Sequence, residues 1–226
     1  VLDIGDKSEF YKLLDEASKG TSRGQKKFVD KYGRDLMEAV FGGQNFGDFY
    51  STPEKCFDDK SIQKVIKDGS NFLEGSAGLG SLLFNILKTN PKARITAVEF
   101  NKKFASFLEE NFDNKNINVI HGDFLKQDLQ DNNFDVAVLN PPFSNGGDKQ
   151  FYFDFLFKAL SILASSRAGN FMKDMIFISP SISNKPTKIG DGILLENIVG
   201  KLSKKKFETI YEMVMGKKPS KFVKAY

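Results

Sequence analysis

From residue 71 onward, short runs of β-branched and aromatic residues alternate with amphipathic stretches of helical length. No other feature constrains the fold as much, because a strand that returns to its sheet through a helix must lie parallel to its neighbour. Residues 71–74, 95–100, 117–120, 134–139 and 175–179 read as strands, and 207–214 and 222–226 as two more, giving seven. Between them, Leu79, Leu82, Leu83, Ile86 and Leu87 recur at helical spacing up to Asn90 and Pro91. Segments 102–111, 151–163 and 193–202 read as further helices. The stretch 134–139 is apolar at nearly every position, as a strand covered on both faces must be. The expected class is therefore α/β with a mostly parallel sheet and flanking helices.

The N-terminal part reads differently. Asp6 and Glu9 form a capping box for a helix carrying Phe10, Leu13, Leu14 and Ala17. A second helix is expected over 25–41, with Phe28, Tyr32, Leu36 and Val40 on one face. Gly42, Gly43 and Gly47 mark a loop, and Ile62, Val65 and Ile66 a short helix after Pro53. Residues 1–50 are thus expected as a helical extension and 51–226 as the main domain.

Composition closes off several function classes. The single cysteine excludes an internal disulfide framework and a multi-cysteine zinc site, and the single histidine argues against His-based metal binding. No metal is implied. No apolar run is long enough to span a bilayer, and Val1 to Phe10 show no basic-then-apolar leader, so the expectation is a cytoplasmic, intracellular protein without a membrane partner. The net charge is +4, and 201–226 holds eight lysines against Glu208 and Glu212. That tail suits a polyanion, or is simply a solvated surface.

Ligands of open α/β sheets bind outside the carboxyl ends of the strands. The first strand runs into Glu74-Gly75-Ser76-Ala77-Gly78-Leu79-Gly80. Its glycines let a backbone approach a ligand and turn sharply into a helix, but their order is not that of a dinucleotide fingerprint. The second strand ends at Glu99-Phe100, nineteen residues past Gly80, where a carboxylate can accept from two ribose hydroxyls. The third is followed by Asp123-Phe124, an acid for an adenine amino group and a ring to pack on it, or equally a turn with a helix N-cap. The fourth ends in Asn140-Pro141-Pro142-Phe143. There the prolines stop the strand, the Asn140 amide oxygen and the Pro141 carbonyl converge on one amino group, and Phe143 offers a flat face.

This set resembles the S-adenosylmethionine-dependent methyltransferases that act on exocyclic or amide nitrogen. It is most similar to adenine-N6 DNA methyltransferases, including the modification subunits of type I restriction systems. Asn140 to Phe143 match the family's N-P-P-[FY] motif, and Glu74 to Gly80 its glycine-rich loop, with Gly75 where a proline is common. Gly47-Asp48-Phe49-Tyr50-Ser51-Thr52-Pro53 resembles its Y-T-P segment, with Ser51 as an extra residue. The resemblance covers about residues 45–180. It implies a Rossmann-like class I methyltransferase fold of seven strands, with S-adenosylmethionine as cofactor and methyl transfer to adenine N6 in DNA.

The same resemblance implies the residue roles. Asn140, Pro141, Pro142 and Phe143 would be catalytic. Glu99 would take the ribose of the cofactor, Asp123 its adenine amino group and Phe124 its adenine ring, with Phe100 also among the cofactor-binding residues. Glu74, Gly75, Ser76, Ala77, Gly78 and Gly80 would run beside the methionine part, covered by Tyr50, Thr52 and Pro53, with Asn140 nearby. DNA is the expected partner and RNA an alternative. Only 83 residues follow Phe143, so no target-recognition domain is visible, and a specificity subunit or a structured substrate would have to supply selectivity. RNA base methylation, glutamine-amide methylation, an inactive binding subunit of this fold and an NAD-dependent oxidoreductase are the competing readings.

Overall fold

The computed structural model describes residues 4–41, 51–112, 114–130, 132–142, 151–165 and 174–177. Within them lie five strands: β1 (Asn71–Glu74), β2 (Arg94–Glu99), β3 (Ile117–His121), β4 (Val136–Leu139) and β5 (Asp174–Phe177). They form one sheet in the order β3-β2-β1-β4-β5, with every neighbouring pair parallel. The register sets Phe72 beside both Ile95 and Val136, and Glu99 beside His121. The chain steps outward from β1 to β3 and then returns to place β4 on the other side of β1. That reversal opens a crevice at the carboxyl ends of β1 and β4. The last two of the seven expected strands, the helix at 193–202 and the lysine-rich tail lie outside the described residues.

Period-two alternation divides the strand residues between two cores. Phe72, Ile95, Ala97, Val136 and Val138 face one core, and Leu73, Val98, Ala137 and Leu139 the other. The first core is completed by α1 (Lys7–Ser18), α4 (Lys60–Asp68), α5 (Ser81–Thr89) and α6 (Lys102–Asn111). The second is completed by α7 (Phe151–Ser165), whose Leu156, Ala159, Leu160 and Leu163 are fully or almost fully buried. At the opposite end of the sheet from the crevice, Asp135 accepts from Ser70 N at 2.9 Å and Asn71 N at 2.8 Å, fixing where β1 starts against β4.

The N-terminal segment forms three helices. Asp6 caps α1 by accepting from Ser8 N at 2.8 Å, as expected, but Glu9 pairs with Lys31 of α2 (Ser22–Tyr32). The single helix expected over 25–41 is two: Gly33, at φ 89°, ends α2, and α3 (Arg34–Phe41) follows. Periodicity runs through that break because the apolar face continues on both sides of the glycine. Gly24 allows α2 to touch α1, since a Cβ there would strike the Glu16 carbonyl. The Phe10 ring stacks on Phe107 of α6 at 5.5 Å, and Tyr11 stacks on Phe84 of α5 at 4.9 Å. Each such buried aromatic contributes about 1.5–3 kcal/mol. The extension therefore shares the core of the sheet.

Candidate active site

Every motif that the sequence singled out and that falls within the described residues sits at the carboxyl end of the sheet. Glu74, the last residue of β1, is fully buried. Its Oε1 accepts from Ser76 N at 2.9 Å and from Ser76 Oγ at 3.3 Å, while Oε2 has no hydrogen-bond partner among the described residues. Burial pushes its carboxyl up to about 8; the Ser76 bonds oppose this and the charge of Glu99 adds to it.

The glycine loop is built for close approach. The Phe124 ring lies 2.9 Å from where a Gly75 Cβ would be, so Gly75 alone lets the ring seat beneath the loop. Gly78 and Gly80 take φ of 54° and 84°, a left-handed backbone that favours glycine. A Cβ on Gly80 would also lie 2.6 Å from the Phe112 ring. Ala77 N donates to Val98 O at 3.0 Å and Gly78 N to Glu99 Oε2 at 2.6 Å, so the loop is bonded to the end of β2.

Glu99 is 8% exposed, and its Oε1 accepts from Asn101 N at 2.7 Å. Burial raises its carboxyl, against the lowering effect of backbone N–H groups at Asn101, Gly78 and Phe100. Both oxygens already hold the backbone, yet a carboxylate has about four acceptor positions, which leaves capacity for a diol. Beside it Phe100 is 76% exposed, the one large hydrophobic side chain in the open among the described residues.

At the end of β3, Asp123 Oδ1 accepts from Leu125 N at 3.0 Å, capping the 3-10 turn Phe124–Lys126. Its Oδ2 lies 3.4 Å from Lys126 Nζ. Asp123 thus caps the turn through Oδ1, while Oδ2 faces the Lys126 ammonium. Phe124 is 2% exposed and packs on Phe155 with centroids 5.3 Å apart. It supports the loop from below, and the exposed ring at this end of the sheet is Phe100.

At the end of β4, Asn140 is half-buried and Pro141 buried. Asn140 Nδ2 donates to Thr52 Oγ1 at 3.0 Å across 88 residues of chain. Thr52 is itself buried, and its N donates to Ser81 Oγ at 3.1 Å. Pro53, also buried, accepts through its carbonyl from Cys56 N at 3.0 Å. Segment 51–53 is therefore fastened to both the β4 terminus and the first turn of α5. Ser81 was not legible as a site residue; the only signal was a small hydroxyl at the first helical position after the glycine loop. Tyr50, Phe143 and Gly47 to Phe49 lie outside the described residues.

The donor set has a definite chemical character. Two buried carboxyl groups, one with an oxygen that has no partner among the described residues, carry negative charge only at a cost unless a cation joins them. An exposed aromatic ring stands next to a carboxylate with spare acceptor capacity. S-adenosylmethionine fits both, since it carries an ammonium, a sulfonium, a ribose diol and a planar base. Glu74 would face the cationic part, and Glu99 and Phe100 the nucleoside.

Residues 61–171 match the family model described as methyltransferase small domain. The ribosomal RNA small subunit methyltransferase D of Haemophilus influenzae is 33% identical over 105 residues, which are 43% of this chain and 50% of that protein. The chain thus spans half the length of this curated relative. Among solved structures, it is similar to a putative RNA methyltransferase from Pyrococcus horikoshii, with TM-score 0.41, 22% identity and coverage of 65% of this chain and 58% of the other. It is also similar to a putative sarcosine dimethylglycine methyltransferase from Galdieria sulphuraria, with TM-score 0.42, 17% identity and coverage of 57% and 54%. The family model and the Haemophilus influenzae relative do not support the type I DNA adenine family that the motifs resemble. Residues 61–171 thus resemble a methyltransferase small domain, and the cofactor this match indicates is S-adenosylmethionine.

Proposed function

We propose that this protein methylates an exocyclic amino nitrogen of a nucleobase in RNA. The observation that carries the reading is the Asn140–Thr52 bond at the carboxyl end of β4, beside the glycine loop that would hold the cofactor. With Nδ2 committed to Thr52, the Asn140 amide presents Oδ1, an acceptor, as its other end. Oδ1 and the Pro141 carbonyl would accept the two hydrogens of an incoming amino group, and Phe143 would stack on its ring.

The cofactor supplies a methyl group on a positively charged sulfur. Transfer of that methyl to the amino nitrogen would form the N–C bond, break the C–S bond and leave a neutral thioether. The proton lost from nitrogen passes to water. Delocalisation into the ring makes that nitrogen a weak nucleophile, and two acceptors favour the pyramidal geometry that localises its lone pair. Positioning and water exclusion then do most of the catalytic work. Asp123 Oδ2 would accept from the cofactor's adenine amino group, Phe100 would cover the ring, and Thr52 and Pro53 would flank the methionine part. Stacking of a target base on Phe143 contributes about 1–3 kcal/mol, which offsets much of the few kcal/mol needed to unstack it.

The relationship to a ribosomal RNA methyltransferase favours RNA. Adenine N6 in DNA is the second reading, favoured by the resemblance of Tyr50 to Pro53 to a Y-T-P segment. Target selection falls to a partner subunit or to the shape of the substrate. The test is incubation with methyl-labelled S-adenosylmethionine and RNA, DNA or protein separately, followed by chromatography of the digests. Label on an amino-methylated ribonucleoside supports the proposal. Label on N6-methyldeoxyadenosine selects the second reading, and label on glutamine or on nothing overturns both.

A further inference from the structure

We infer that Tyr11, on α1, is a positioning residue for the cofactor loop, acting through the Leu79 carbonyl. The inference rests on the reading that this loop holds S-adenosylmethionine. Tyr11 Oη donates to Leu79 O at 2.8 Å, a buried contact across 68 residues of chain. Leu79 stands between Gly78 and Gly80, both in left-handed backbone, so the peptides on either side of it are the least constrained by local sterics in the site. Glu99 takes hold of the loop at Gly78 N, one residue before the carbonyl that Tyr11 holds. Thr52 N bonds Ser81 Oγ two residues after it. The loop is fixed at three successive points by three distant parts of the chain, and Tyr11 is the contribution of the N-terminal extension.

The phenol ring is set for this task. It is 6% exposed and stacks on Phe84, whose helix begins directly after the loop. Burial pushes its hydroxyl well above the usual phenol range, so it remains a donor throughout the physiological pH range. Tyr11 lies outside residues 61–171, so the family match says nothing of it.

Tyr11→Phe keeps the ring on Phe84 and removes only the donor. Isothermal calorimetry with S-adenosylmethionine is expected to show Kd raised about three- to tenfold. KM for the cofactor should rise in step while kcat at saturation is unchanged. In the protein without cofactor, amide exchange at Gly78 and Gly80 should accelerate. Tyr32→Phe is the control: it belongs to the same aromatic cluster, its hydroxyl has no partner among the described residues, and it should leave all these readouts at wild-type values. A Tyr11→Phe protein with a lower melting temperature but unchanged Kd and unchanged exchange at the loop would be a merely structural variant and would overturn the inference. If the wild type fails to bind S-adenosylmethionine, the functional reading falls first and this inference with it, whatever the exchange data show.

Discussion

The two sides of the crevice are built in different ways. On the β1–β2 side, carboxylates bond backbone: Glu74 takes Ser76 N, and Glu99 takes Gly78 N and Asn101 N, over separations of 2 to 21 residues. On the β4 side, the described polar link is between two side chains 88 residues apart, Asn140 and Thr52. The first side is preorganised by local chain geometry. The second exists only once segment 51–53 has been brought over the sheet. On the proposed reading, the side that would hold the cofactor is the scaffold on which the side that would hold the target is assembled, and the two should respond separately to substitution.

Asn140→Ala is the sharpest way to separate them. Removal of one acceptor aimed at a reacting group commonly costs on the order of 100- to 1,000-fold in kcat. That loss is expected here, with Kd for S-adenosylmethionine changed less than about threefold. Steady-state kinetics alongside calorimetry checks both numbers. A collapse of cofactor affinity with turnover intact at saturation would join the two halves and remove the role given to Asn140.

Glu99→Ala should do the reverse. It removes a charged acceptor for the ribose and also the partner of Gly78 N. Charge-assisted bonds are worth about 1.5–3 kcal/mol each, so affinity should fall about 10- to 100-fold, while kcat at saturating cofactor falls much less. Unchanged affinity in calorimetry would sink the ribose assignment.

How much of this was legible in the sequence follows the same division. The succession of strands and helices from residue 71 to 177, the glycine loop and the acid at the end of β2 depend on local rules, and the structure has them where pattern and spacing put them. Gly75 was read as a departure from a common proline; the structure gives the reason, a Phe124 ring that leaves no room for a Cβ. Long-range packing was not legible. Nothing local reveals that Tyr11 reaches Leu79, that Ser81 receives Thr52, or that Phe124 is sunk under the loop while Phe100 stands exposed. The break at Gly33 was missed because periodicity counts side chains and is blind to a single left-handed residue. The substrate lies further still from the sequence, since the motif presents the same two acceptors to any amino group.

The carboxyl of Glu74 gives a smaller, graded effect. Its folded value is about 8 against an ordinary 4.5, so the folded protein holds a proton that the unfolded chain releases. The stability this lends is fully present below about 4.5 and is lost as pH rises through about 8. Binding of a cationic cofactor favours the carboxylate and expels that proton. Affinity for S-adenosylmethionine should therefore rise with pH, by up to about tenfold per unit, and level off above about 8. Glu74→Gln should flatten the curve. Calorimetry in two buffers of different ionisation enthalpy would show the released proton directly, and a flat wild-type profile would break the link between Glu74 and the ligand's charge.

The smallest effect on function is expected at the far end of the sheet. Asp135 receives two backbone N–H groups at the start of β1, at the opposite end of the sheet from the crevice. Asp135→Ala leaves both donors without this acceptor, one of them partly buried, at a cost of about 1–3 kcal/mol in total. For a domain of this size that lowers the melting temperature by about 2–4 °C per kcal/mol. Well below the transition, Kd for S-adenosylmethionine and kcat should both match the wild type. The variant thereby tests whether a change at the crevice acts locally: Glu99→Ala matched to it in stability should still bind the cofactor far more weakly. If the two lose affinity equally, fold stability governs binding, and the distinction between a preorganised side and an assembled side loses its meaning.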